Sequence, residues 1–393
     1  MTALPKAEWT QREDLARLVE ALGPANLRWV GGAVRDTLLG NPVKDIDAAT
    51  LLPPEEVIAR LDKANIRSVP TGIDHGTVTA VLVGGPVEIT TLRKDVSTDG
   101  RRATIAYSDD WREDAARRDF TINALYADPV TLELFDYFGG LDDLAEGRVR
   151  FIGDPRARIR EDHLRILRYY RFQARFGATL DVEAEQACAE LAPMLKGLSR
   201  ERVGWELQTL LSIGDPTSTV VRMYQQGVLG EVLPETGDRE IVEFEKLVQA
   251  ESRFGVPPSA VRRLAALLPA DERAAEQVAA RLRLSSAQKK RLVCAARRDV
   301  LADDPHAMAY WLGREEAIDR LLLAGEDPSP VSDWDIPELP LKGGEIVARG
   351  VAAGPQVARI LQAVERRWVA EGFPDRARVE MLLAEEIAGR PPS

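Results

Sequence analysis

Cysteine and histidine are scarce in this chain of 393 residues: Cys188 and Cys294 are its two cysteines, and His75, His163 and His306 its three histidines. Two cysteines in helical-looking segments rule out a disulfide scaffold and a thiolate metal cluster, and fit reduced packing residues in a cytoplasmic protein. No His-Asp doublet occurs, which argues against an appended metal phosphohydrolase of that type. No apolar run approaches the ~20 residues that cross a bilayer, so no membrane partner is expected. The first nine residues lack a basic stretch followed by an apolar one, so no secretory signal is expected. Net positive charge is missing too. A formal charge of −11 argues against non-specific binding of polyanions, although recognition follows the local field and not the sum.

What is present describes a water-exposed globular protein, with 45% hydrophobic and 29% charged residues in a length that suggests two to four domains. Thr10 followed by Glu13 at capping-box spacing opens a predicted helix over residues 10–22, closed by Gly23 and Pro24. Strands are predicted over residues 27–30, 45–49, 77–83 and 87–92, the last two joined through Gly84, Gly85 and Pro86 as a hairpin. A helix over residues 54–65 separates them. From Asp154 onward the pattern is almost wholly helical, with breaks at Gly177, Gly197, Gly214 to Pro216 and Pro234. Residues 325–340 read as a Pro-rich linker or loop, and a last helical unit covers about residues 344–388. No internal repeat is visible.

The densest chemistry lies near the start. Gly31 and Gly32 follow the strand at 27–30, and Asp45 and Asp47 sit one residue apart in the next. In an extended segment, residues i and i+2 face the same side, so the two carboxylates can converge on a hard cation such as Mg²⁺, which prefers oxygen ligands and often brings substrate phosphates with it. The glycines let backbone approach a ligand, and a helix beginning near Ala33 would aim N–H groups at phosphate. A phosphate cradle beside a metal pair suggests nucleotidyl transfer.

A second cluster, Arg117, Arg118, Asp119 and Asn123, offers guanidinium forks for phosphate and polar acceptors for a ribose. It reads equally well as a capped helix with surface ion pairs. A third covers residues 156–176, where seven arginines stand against Glu161 and Asp162. Drawn as one helix, this stretch gathers Ile159, Leu164, Ile166, Leu167, Tyr170 and Ala174 on one side and Arg158, Asp162 and Arg165 on the other. Asp162 and Arg165 then stand i,i+3 as an acceptor beside a forked donor. Cytosine and adenine each present an amine beside an acceptor nitrogen, whereas uracil and guanine present a carbonyl beside N–H, so such a pair favours C and A. A plain surface ion pair is the other reading.

In order and spacing over residues 28–207, these clusters, with the segments 135–144 and 198–207, resemble the class II tRNA nucleotidyltransferases, the bacterial CCA-adding enzyme and poly(A) polymerase family. The resemblance implies an α+β fold: a polymerase-β-like nucleotidyltransferase head with a mixed sheet at 1–150, then an all-helical neck (151–213), body (214–330) and tail (331–393). It implies template-independent addition of CCA to tRNA from CTP and ATP, with Asp45 and Asp47 holding Mg²⁺. Gly32 and Arg35 would contact the nucleotide phosphates, with Asp36 bracing the turn. Arg118, Asp119 and Asn123 would hold phosphate and ribose, and Asp162 and Arg165 would read the base with support from Arg168 and Arg171. Glu88, on a strand directly after the hairpin, is the candidate third carboxylate, or else an exposed strand residue. Residues 93–107 resemble the flexible loop of full CCA-adding members, or are an ordinary solvated loop. An A-adding enzyme, a poly(A) polymerase and a non-catalytic RNA binder with a decayed head are the alternative readings. The run at 288–298 is the candidate RNA contact of the helical half, or a solvated helix face.

Overall fold

Strand β1 (Leu27–Val30) runs into a glycine turn because Gly31 adopts φ +71°, a region that L side chains avoid. The computed structural model describes the backbone of residues 3–99, 102–298 and 304–389, and their side chains apart from 74 and 95–105. The residues up to Val232 form one compact unit and those from Leu233 another.

The first unit is built on β1, β2 (Ile46–Thr50), β3 (Ser68–Gly72), β4 (Thr77–Leu82), β5 (Gly85–Thr91), β6 (Arg93–Asp99), β7 (Arg102–Tyr107), β8 (Leu125–Ala127) and β9 (Leu134–Asp136). Seven of these make one sheet in the order β3-β4-β5-β2-β1-β8-β9, parallel only between β2 and β5. β6 and β7 pair with each other, so the segment expected to be a loop includes an antiparallel ribbon. Alternation in β5 buries Val87 and Ile89 and exposes Glu88, the period of a strand with one face on the core. Helices α1 (Glu13–Leu22) and α3 (Pro54–Lys63) supply Leu15, Leu18, Leu22, Val57 and Leu61 to the core. The expected Thr10 capping box is replaced by a short 3₁₀ turn over Trp9–Gln11; the Thr10 hydroxyl bonds back to Ala7 and α1 starts at Glu13.

The largest departure from expectation lies at residues 155–176. They form two helices, α6 (Pro155–Glu161) and α7 (Arg165–Phe176), with Asp162 extended between them. Asp162 Oδ1 accepts the Leu164 N–H at 3.1 Å, the local competition with helix hydrogen bonding that short acidic side chains favour. Ile159, Leu164, Ile166, Leu167 and Tyr170 are buried as expected. Arg158 is not on a solvent face; it is buried and donates to the carbonyls of Arg117 and Arg118. The remaining helices of this unit include α8 (Val182–Leu191) and α9 (Arg200–Leu211). The second unit is helical throughout its named elements, including a four-residue turn at Ser329–Ser332 inside the expected linker.

Candidate active site

Sheet register assembles the acidic group. Asp47 on β2 stands opposite Val30 on β1 and opposite Glu88 on β5, so Asp47 and Glu88 share a face on adjacent strands. Asp45 precedes β2 by one residue and is exposed, like Glu88, while Asp47 is half-buried. Burial, then the neighbouring carboxylates of Glu88 and Asp45, push the Asp47 carboxyl up to about 6 against the pull of Arg118. Crowded carboxylates of this kind gain when a cation offsets their repulsion. Among the described residues no three His, Cys, Asp or Glu side chains close into a cage. Carboxylate oxygens as donors suit a hard cation.

The turn after β1 lies against this group. A Cβ at Gly31 would stand 3.7 Å from Arg118 Nη1, 3.8 Å from the Asn123 carbonyl and 3.9 Å from Asp47 Oδ2. Gly31 therefore lets the Asp47 carboxylate and the Arg118 guanidinium approach the same turn. Gly32 opens a seven-residue helix, α2 (Gly32–Leu38). Arg35 on α2 is buried, where desolvation lowers its pKa, and it donates to Asn123 Oδ1 and to Asp36 Oδ1. Asp36 also pairs with Arg175 of α7 at 3.2 Å, so its expected bracing role has a geometric basis.

A chain of charged contacts leads from there to the helices. Asn123 Nδ2 donates to Asp119 Oδ1 at 3.0 Å, and Asp119 Oδ2 accepts from Arg168. Burial would raise the Asp119 carboxyl, but Arg168, Asn123 and the Phe120 N–H outweigh it and hold it at about 2. Arg168 also reaches Glu206 of α9 at 3.5 Å, and Arg171 Nε donates to the same Glu206 at 2.6 Å. Four residues given no site role by the sequence analysis, Asp114, Glu161, Arg202 and Glu206, hold the charged side chains of this region. Asp114, on α4 (Trp111–Ala116), takes Arg117 at 2.7 Å, Arg118 at 3.2 Å and the Tyr126 hydroxyl at 2.7 Å; its i,i+3 and i,i+4 spacing to the two arginines was the available signal. Glu206 and Arg202 lie in the segment 198–207, and Glu161 in the arginine-rich stretch 156–176.

Asp162 and Arg165 do not pair as i,i+3 neighbours on one helix. Asp162 Oδ2 accepts from Arg202 of α9 at 2.7 Å, while Arg165 Nη1 donates to Glu161 and to the Arg158 carbonyl. They remain close in the chain through the bond from the Arg165 N–H to the Asp162 carbonyl at 3.0 Å. The basic run of the second unit is spent mostly on structure. Lys289 pairs with Glu276, Arg291 with Asp319 and Glu315, and Arg298 donates to the carbonyls of Ala265 and Leu268.

Residues 27–150 match a family described as poly A polymerase head domain, and residues 177–240 one described as a probable RNA and SrmB-binding site of polymerase A. The mitochondrial CCA tRNA nucleotidyltransferase 1 of Mus musculus is 34% identical over 385 residues, covering 92% of this chain and 87% of its own. The chain belongs to the class II tRNA nucleotidyltransferases. A bacterial member of this family, the CCA-adding enzyme of Leuconostoc mesenteroides, is 30% identical over 93% of each chain. The fold agrees with two solved members. The Bacillus stearothermophilus CCA-adding enzyme in complex with CTP gives a TM-score of 0.73 at 24% identity, over 96% of this chain and 99% of its own. The Thermotoga maritima CCA-adding enzyme complexed with tRNA gives 0.69 at 24% identity over 99% of each.

Proposed function

We infer that this enzyme adds C, C and A to the 3′ end of tRNA from CTP and ATP without a nucleic-acid template. The observation that carries the reading is the register of Asp47 beside Glu88, with Asp45 just before, on a sheet face bordered by a glycine turn and Arg118. Asp45 and Asp47 would hold Mg²⁺, with Glu88 as third carboxylate. Such cations, when bound, supply Lewis acidity that eases deprotonation of the primer hydroxyl and offsets triphosphate charge. The primer's 3′-oxygen forms a bond to the α-phosphorus and pyrophosphate departs.

Arg118, pinned from behind by Asp114 and Tyr126, is the phosphate contact nearest the acids. Gly32 shapes the turn against the nucleotide phosphates, and Arg35 stiffens that cradle by tying it to Asn123. Asp119 and Asn123 face the ribose, and Arg168 and Arg171 back them from α7. Asp162 and Arg165 read the base. Both carry partners within the chain, but a carboxylate has about four acceptor sites and a guanidinium five donors, so each keeps groups to offer a base edge. Arg202 and Glu161 then act as aligners of the reading pair.

The neck, body and tail divisions at 151–213, 214–330 and 331–393 go with this reading, and the helical remainder would hold duplex RNA by shape and backbone. Among the described residues no helix is long and apolar enough to cross a membrane. The unpaired thiols of Cys188 and Cys294 support a cytoplasmic setting.

The test is incorporation of CTP and ATP into tRNA ending at its discriminator base, at C and at CC, with the products sequenced. Sequential completion to CCA supports the reading. Addition of A alone to tRNA already ending in CC, an A-tail, or no extension each overturns it.

A further inference from the structure

Trp205 projects from α9 with 58% of its surface in solvent, although indole is among the side chains that bury the most apolar area. Its surroundings are specific. The Arg171 guanidinium lies 5.6 Å from its ring and 4.6 Å from that of Phe172, while Arg171 Nε is held by Glu206, the residue next to Trp205 in the chain. Three residues earlier on the same helix, Arg202 grips the Asp162 carboxylate. Positions i and i+3 of a helix are neighbours on its surface. The exposed indole thus stands about one residue-width from the side chain that aligns the base-reading aspartate, on a helix that also supports Arg168 and Arg171.

We propose that Trp205 is a stacking platform for the unpaired base at the 3′ end of the RNA being extended. This deepens the reading of the site given above and rests on it. The chemistry favours a primer base over an incoming one. The primer's last base is not constant through the reaction: it is the discriminator base, which varies between tRNAs, at the first step and C at the two that follow. A contact that serves all of them must ignore base edges, and an aromatic face does so, because every base has a π-face. An incoming base must instead be told apart by its edge, which is the work assigned to Asp162 and Arg165. Arg171 beside the ring adds a fixed positive charge suited to the phosphate of the same nucleotide.

The experiment compares wild type with Trp205→Ala and Trp205→Phe, on tRNA lacking CCA and carrying each of the four discriminator bases. The apparent KM for tRNA and for CTP are measured separately, together with tRNA binding by fluorescence anisotropy in the absence of nucleotide. We expect Trp205→Ala to raise the tRNA KM and Kd about tenfold, to a similar degree for all four bases, with kcat and the CTP KM within about twofold of wild type. Trp205→Phe, which keeps a ring, should recover most of the loss. The platform is overturned by an unchanged tRNA Kd, by a change confined to the CTP KM, by an effect at one discriminator base only, or by a phenylalanine variant as impaired as the alanine one. Anisotropy separates this proposal from the functional reading: a wild type that binds tRNA through Trp205 but extends nothing would sink the activity and leave the platform standing.

Discussion

Two arginine–carboxylate networks, one in each unit, use the same residue types to opposite ends. In the second unit, Arg262 meets Glu251 and Asp319 with 2%, 2% and 0% of those side chains exposed, and its third bond goes to the Pro257 carbonyl. Arg263 meets the other Glu251 oxygen at 2.7 Å, and Arg291 reaches Asp319 at 2.6 Å. The centre of this network is sealed at Arg262, Arg263, Glu251 and Asp319, with Arg262 donating from all three guanidinium nitrogens, while Arg291 at its rim keeps 23% of its side chain in water. In the first unit, Arg168, Asp162 and Arg202 keep 31%, 27% and 38% of their side chains in water, and Asp45 and Glu88 are exposed. The difference is one of access. A sealed network holds helices together, whereas an open one has donors and acceptors left for a ligand.

The comparison breaks most sharply at the acids. Asp47→Ala or Asp45→Ala should lower nucleotide addition by about 10³-fold or more, beyond the loss of a single polar contact to the transition state, with the melting temperature unchanged or raised as carboxylate crowding is relieved. Either variant retaining wild-type incorporation would remove the metal assignment. In the sealed network, Arg262→Met should behave in the reverse way. Glu251 and Asp319 would then keep only Arg263 and Arg291, and the lost charge-assisted bonds should cost about 2–3 kcal/mol of stability in urea unfolding, while folded enzyme keeps its kcat. A loss of activity without a loss of stability would place that network in the site.

Arg165→Ala sharpens the open network. Selection for CTP over UTP should relax by about 10- to 100-fold, the scale of a lost polar discrimination. Unaltered selectivity at normal activity would reassign base reading to other residues. The smallest effect concerns Asp119, held at about 2 in the folded protein against an ordinary value of about 3.9 in the unfolded chain. A depressed carboxyl stabilises the fold above its unfolded pKa, and that contribution disappears as pH falls through the folded one. Stability should therefore drop by about 2 kcal/mol between roughly pH 4 and pH 2 from this group, and Asp119→Asn should flatten that limb of the profile. An identical acid limb in the variant would show that Arg168 does not hold the carboxylate in solution.

The strand positions were read closely from the sequence. β1 matches its expected bounds, and the Gly84–Gly85 hairpin lies where the turn residues placed it. The strands β3, β8 and β9 were not read, since β3 is mostly exposed and the other two contain only three residues each. The wheel for 156–176 identified most of the buried apolar positions but mistook two helices for one, and it put the buried Arg158 on the solvent side. An aspartate able to bond its own backbone looks the same in one-dimensional periodicity whether it rides a helix or interrupts it.

The sequence by itself determined a strand carrying Asp47 with Asp45 just before it, the glycine turn and the arginine stripe, because side-chain alternation and backbone freedom are set within a few residues. Tertiary structure alone decided which partner each charge received. Arg202 comes to Asp162 from 40 residues away and Arg168 to Asp119 from 49. Those choices depend on how much water each pair keeps once the chain has closed around it, a quantity that no local spacing contains.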